Sequence, residues 1–188
     1  MATRHEGRSF GIHVNLEPPA ARSLFGLSLN SLAHSQIPLE CVLDEPFLAE
    51  RVHDAGGWEE RFRLLDRVLA ERLAGARPPS PEIGWAWRRL VATHGAIRIG
   101  ELARELGWSC KRVVARFRDE IGLPPKAAAR LLRFERARAL AEAAKRPDWS
   151  RLALDAGYCD QSHLINDFRA VTGRTPETFF QDTFAPAA

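Results

Sequence analysis

The sequence is poor in cysteine and has no long apolar runs, and each scarcity argues against a class of protein. Its three cysteines, Cys41, Cys110 and Cys159, are an odd number without a CxxC pair. That pattern argues against a disulfide framework or a zinc site and fits a reducing compartment, so a cytoplasmic location is expected. No uncharged apolar run is long enough to span a bilayer, and Met1–Arg8 is polar with no apolar stretch behind it. Neither a membrane span nor a secretory signal is therefore expected. The signatures HExxH, GxGxxG and the P-loop are also missing, and the histidines show no second ligand at metal spacing. The expectation is a protein without catalytic activity, metal or cofactor.

What is present is charge and helical pattern. The 188 residues are 45% hydrophobic and 27% charged, enough for one large domain or two small ones with real cores. The net charge of +3 is unevenly spread. Residues 1–98 hold twelve basic and twelve acidic residues, so the whole excess lies beyond them. Between Arg104 and Arg151 there are thirteen basic and six acidic residues, a local +7. A local excess of that size points to an anionic partner.

Along the chain, Phe10–Leu16 alternates, with Ile12, Val14 and Leu16 on one side, and reads as a short strand. A lone strand must pair within its segment, with another chain, or with a sheet that is not here; the last reading is preferred because the leading stretch is too short to supply a barrel. A short helix over Ala20–Phe25 stops at Gly26, another is expected over Pro46–His53, and a stronger one over Trp58–Leu73. In the last, Trp58, Phe62, Leu65, Leu69 and Leu73 fall on one stripe, which fits an internal core or a dimer seam equally, with a slight preference for the seam. Residues 76–81, rich in proline, read as a linker. Everything beyond reads as helix, broken at Gly95, Gly107, Gly122, around Arg146-Pro147-Asp148, at Gly157 and at Gly173.

The second half contains one pattern twice. Ala103, Gly107, Trp108, Phe117-Arg118, Gly122 and Pro125 recur as Ala153, Gly157, Tyr158, Phe168-Arg169, Gly173 and Pro176, at offsets of 50 and then 51. Each copy makes sense as a helix-turn-helix. The alanine lets two helices cross closely, and the glycine ends the first in a sharp turn. Ser109 and Asp160 are the expected N-caps of the second helices. Val113, Phe117 and Ile121 in copy one, and Leu164 and Phe168 in copy two, then face the core. The added residue lengthens the second turn.

In a helix-turn-helix that binds DNA, the second helix presents its early residues to the major groove. The outward set of copy one is Lys111, Arg112, Val114, Ala115 and Arg118, which offers cations for phosphate or guanine and small apolar groups for a thymine methyl. In copy two it is Gln161, Ser162, His163, Ile165, Asn166 and Arg169, where the amides of Gln161 and Asn166 can pair with adenine. A polar, solvated face would explain either copy alone, but not two with matched spacing in the basic half. Pro124-Pro125 opens a connecting helix to about Ala144, long enough to hold the two reading helices roughly one DNA turn (~34 Å) apart on one face of the duplex.

These residues resemble the DNA-binding domain of AraC/XylS-type transcription regulators. The resemblance covers roughly Trp85–Phe180 and is most specific in Ile99-Gly100-Glu101-Leu102-Ala103, in Ala156-Gly157-Tyr158-Cys159-Asp160-Gln161-Ser162-His163-Leu164, and in Thr172-Gly173 with Thr175-Pro176. It implies a mainly α fold in which seven helices form two helix-turn-helix units (about 99–121 and 150–171), joined by a long linker helix. It further implies promoter binding and contact with RNA polymerase. Copy one departs from the pattern at Val114-Ala115, so its helix is expected to meet phosphates and methyls more than to specify sequence. Many such regulators carry an N-terminal effector domain, a small β-barrel followed by dimerisation helices. Residues 1–75 then read as a short strand-plus-helices remnant of that domain, 76–81 as the linker and 82–182 as the DNA-binding domain.

Two other classes compete with that reading. A DNA-repair alkyltransferase carrying a similar module would need an activated cysteine in a Pro-Cys-His setting, which no cysteine here has. An interaction fragment that pairs with full-length regulators through residues 10–73, and blocks or retargets them, shares the DNA-binding half and differs in oligomeric behaviour; a homodimer would use residues 58–73.

Overall fold

Among the described residues, five helices precede the proline-rich stretch and seven follow it. The computed structural model describes residues 11–32, 35–144 and 147–184. Helices α1 (Pro18–Phe25), α2 (Leu29–Leu32), α3 (Leu39–Val42), α4 (Leu48–Asp54) and α5 (Trp58–Ala74) come first. Then come α6 (Pro81–Ala92), α7 (Ile99–Glu105), α8 (Cys110–Ile121), α9 (Pro125–Ala144), α10 (Trp149–Asp155), α11 (Gln161–Thr172) and α12 (Pro176–Phe184). None of them is long and apolar enough to cross a membrane.

No strand occurs among the described residues, which corrects the expectation of one over 10–16. Phe10 lies outside the described residues; 11–17 form no regular structure. The physical reason is the missing edge: no neighbouring strand is there to take up a ladder. The alternating side chains have another use. Ile12, Val14 and Leu16 line an apolar hollow of about 500 Å³ whose other walls come from α1, α3, α4 and α5. The short helices α2 and α3 were not expected either; at four residues each they carry no readable period.

Local chemistry accounts for many of the helix boundaries. Proline starts α1 and α6, where a missing N–H costs nothing. Gly26, Gly122 and Gly173 end α1, α8 and α11 in the left-handed conformation, each N–H bonded to a carbonyl four residues back. Arg61 of α5 finishes α4 from outside, its guanidinium donating to the carbonyls of Val52, His53 and Ala55 at 3.0 to 3.2 Å.

Three apolar clusters hold the helices together. The N-terminal one is small, with Leu24, Leu43, Leu48 and Val68 buried and Leu64, Leu65 and Leu69 packed on them. Of the expected α5 stripe, Leu65 and Leu69 thus serve the interior, while Trp58, Phe62 and Leu73 remain about half exposed. The second cluster joins α6, α7, α8 and the start of α9, with Leu102, Val113 and Phe117 fully buried. The third joins the rest of α9 to α10, α11 and α12, around Leu164 and Phe168, with the Phe168 ring 4.7 Å from Phe134. Helix α9 therefore gives Ala128 and Ala129 to one core and Phe134, Ala137 and Ala141 to the other. At 20 residues it is about 30 Å long.

The two helical halves are not joined by the linker alone. Helices α1 and α2 pack on α8. Ser28 Oγ donates to the Asp119 carbonyl at 3.3 Å, Arg22 lies 3.8 Å from the Asp119 carboxylate, and Leu29 meets Gly122, where a Cβ would come within 3.0 Å of it.

Candidate nucleic-acid interface

The repeated pattern folds into two helix pairs of matched size. Helices α7 and α10 have seven residues each, α8 and α11 twelve each. Four residues separate α7 from α8 and five separate α10 from α11, so the added residue sits in the second turn. In each turn a glycine with positive φ, Gly107 at 65° and Gly157 at 86°, reverses the chain. The next residue, Trp108 or Tyr158, then sends its N–H back to the carbonyl of Ala103 or Ala153 at 2.9 Å. The small side chains of those alanines lie at the crossing, 3% and 0% exposed.

Both second helices are capped as their sequences require. Ser109 Oγ accepts the Arg112 N–H at 3.2 Å, and Asp160 Oδ1 accepts that of His163 at 2.7 Å. Helix α8 buries Val113, Phe117 and Ile121, which turns Lys111, Arg112, Ala115 and Arg118 outward, with Val114 half-buried. Helix α11 buries Leu164, Asp167 and Phe168. That exposes Ser162, Asn166 and Arg169 and leaves Gln161, His163 and Ile165 half-buried.

Three contacts refine this face. The Arg112 guanidinium lies over the Trp108 ring, 4.2 Å from its centre, so a cation at the start of α8 is held flat by the aromatic four residues earlier. Gln161 Oε1 accepts the Ser150 hydroxyl at 2.9 Å, while Asp148 caps α10 by taking the N–H groups of Ser150 and Arg151. The Gln161 carbonyl is thus engaged, and the donor capacity of its side chain lies in the amide NH₂. The His163 ring stands edge-on to Tyr158 with centres 5.1 Å apart, and its Nε2 lies 3.9 Å from Asp167 Oδ2. His163 is therefore oriented from beneath as well as capped from behind.

Some cations of the basic segment are already paired. Arg116 pairs with Glu120 at 2.7 Å, and Arg138 is held between Glu135 and Glu142, which raises its pKa chiefly through the Glu135 hydrogen bond. Lys145 and Arg146 lie outside the described residues. Cys41, Cys110 and Cys159 are free and exposed. Among the described residues no group of three His, Cys, Asp or Glu side chains is placed to hold a metal ion.

Sequence reasoning did not find the Trp108–Arg112 stack, the Ser150–Gln161 bond or the Asp148 cap. Two of them had a local signal: an aromatic four residues before an arginine, and an aspartate two before a serine at a helix start.

Residues 102–182 match a family model described as a helix-turn-helix domain. No curated protein and no solved structure matches the chain. The matched stretch runs from α7 into α12 and takes in both reading helices. Residues 102–182 are thus similar to AraC-type helix-turn-helix domains, a likeness that suggests DNA-binding transcription regulation.

Proposed function

We propose that the chain is a sequence-specific transcription regulator that sets α8 and α11 into successive major-groove segments of promoter DNA. The observation that carries this reading is the pair of equal helix-turn-helix units mounted on one helix of about 30 Å, each exposing the early residues of its second helix. Helix α11 specifies bases through Asn166 and the NH₂ of Gln161, with Ser162, His163, Ile165 and Arg169 beside them. Helix α8 anchors on phosphates through Lys111, Arg112 and Arg118 and offers Val114 and Ala115 to thymine methyls. The protein acts in the cytoplasm by binding and not by catalysis, and the family resemblance makes RNA polymerase its expected protein partner.

Selection of duplexes from a random pool by the purified chain tests the reading. Enrichment of two half-sites about one helical turn apart supports it. A pool without any motif, with residual affinity lost at physiological salt, overturns it.

Residues 1–75 are proposed as the effector or dimerisation part, joined by 76–81 to the domain at 82–182. The half-exposed Trp58, Phe62 and Leu73 on one stripe of α5 support a homodimer, or pairing with a full-length relative, through residues 58–73. Sedimentation at micromolar concentration decides: a clean monomer counts against that seam.

A further inference from the structure

Arg133, near the middle of α9, touches both the turn that leads into the first helix-turn-helix unit and the second unit itself. Its Nη1 donates to the Gly95 carbonyl at 2.8 Å, in the turn between α6 and α7. Its Nη2 lies 3.5 Å from Asp167 Oδ2 on the second reading helix. Its guanidinium carbon is 5.5 Å from the centre of the Tyr158 ring in the second turn. The side chains of Arg133 and Asp167 are only 16% and 12% exposed, so this is an enclosed ion pair.

The surroundings make that junction tight. Gly95 has φ +75°, and a Cβ there would lie 2.1 Å from the Ala129 carbonyl oxygen, so the α6–α7 turn rests directly on the backbone of α9. A Cβ on Gly157 would lie 3.6 Å from Ala96 and 3.8 Å from Arg133 Cδ, so the α6–α7 turn and the second unit's turn meet beside the same arginine. Asp167 Oδ2 is buried and accepts no hydrogen bond; its charge is answered by Arg133, and His163 Nε2 lies 3.9 Å away. One guanidinium therefore ties a backbone oxygen of the α6–α7 turn to a carboxylate that backs the exposed face of α11.

We propose that Arg133 is a positioning residue that fixes the relative placement of α8 and α11, and thereby the half-site spacing the protein accepts. It works through Gly95 and Asp167 and touches no DNA. The proposal rests on the two-groove reading above. A planar fork with several donors can hold a carbonyl and a carboxylate together, whereas a lysine ammonium in its place reaches one of them.

The test is equilibrium binding of the full chain to duplexes carrying the selected half-sites at the preferred spacing, at spacings changed by one or two base pairs, and singly. The wild type is expected to favour its own spacing by about tenfold. Arg133→Met keeps the apolar stem and is expected to bring that preference to within about twofold, while each single half-site is bound within about threefold of wild type. Arg133→Lys is expected to recover part of the preference. Asp167→Asn removes the ion pair while Arg133 keeps its bond to the Gly95 carbonyl, and serves where Arg133→Met does not fold; it too should broaden the accepted spacing. A folded Arg133→Met or Asp167→Asn chain that keeps the wild-type preference overturns the proposal and leaves the two-groove reading intact. A wild type without spacing preference overturns both.

Discussion

Glu120, near the end of the first reading helix, completes the start of α6 by accepting the Ser80 N–H at 2.7 Å and the Ser80 hydroxyl at 2.9 Å. Ser80 occupies the N-cap position of α6 but makes no side-chain cap of its own; its N–H and hydroxyl are taken up by a carboxylate forty residues away. The same group, 3% exposed, pairs with Arg116. Glu120→Ala leaves the Ser80 N–H and the Arg116 cation without this partner, and we expect it to cost about 1 to 3 kcal/mol. Urea unfolding checks this. A loss below a few tenths of a kcal/mol would show that water replaces the carboxylate.

Gly95→Ala is expected to be far more damaging than an ordinary loop substitution. The added methyl would have to pass through the Ala129 carbonyl in a backbone conformation that L residues disfavour. A loss of about 3 kcal/mol or more, read as a lowered unfolding midpoint, is the expected outcome. Wild-type stability would mean the turn can lift off α9.

Lys111→Ala and Arg112→Ala should each weaken binding to all duplexes and reduce the slope of log K against log salt by about one. Trp108→Phe should reproduce part of the Arg112 effect, because the larger indole face is what holds that guanidinium in place. Salt titrations of a specific and a scrambled duplex check both. An effect confined to the specific duplex would make Arg112 a base reader.

On α11, Asn166→Ala should relax preference at one base pair by about 1 to 3 kcal/mol. Ser150→Ala is the more discriminating change. It removes the hydroxyl that occupies Gln161 Oε1, so the amide is free to turn and offer either edge. Base preference at the Gln161 position should then broaden with little change in total affinity, and repeating the pool selection with the variant measures it.

Tyr158 is the chain's one tyrosine, which makes its ionisation directly visible in ultraviolet absorbance. Burial pushes its pKa well above the usual value near 10, with the Asp167 carboxylate adding to the rise and Arg133 opposing it. The folded chain therefore holds the neutral phenol where the unfolded chain ionises. This contribution to stability is present below about pH 10 and is lost as pH rises above it. Tyr158→Phe should flatten the alkaline decline in stability, and native tyrosinate formed with an ordinary titration would contradict the burial.

The parts of this fold that were legible in the sequence are those fixed by short-range chemistry. Ser109 and Asp160 announce helix starts, Gly107 and Gly157 announce turns, and Phe117 and Phe168 fall on the buried stripe by period alone. The segment 11–16 misled because alternation is shared by a paired strand and by a chain lying against an apolar hollow; only a neighbouring edge tells them apart. Of the reading faces, exposure agrees with period, but the uses of Gln161 and His163 depend on partners that no spacing discloses. The Arg133 junction joins residues 38 and 34 positions away, and from the sequence Arg133 was one more cation on a basic helix.

The grip of α1 and α2 on α8 has a mechanical consequence. They hold that helix at its tail, by Asp119 and Gly122, while Lys111 and Arg112 stand at its head. Leu24 and Phe25, on the same short α1 that carries Arg22, form part of the hollow's wall. A displacement of α1 would reach α8 directly at that held end, without passing through the proline-rich connection.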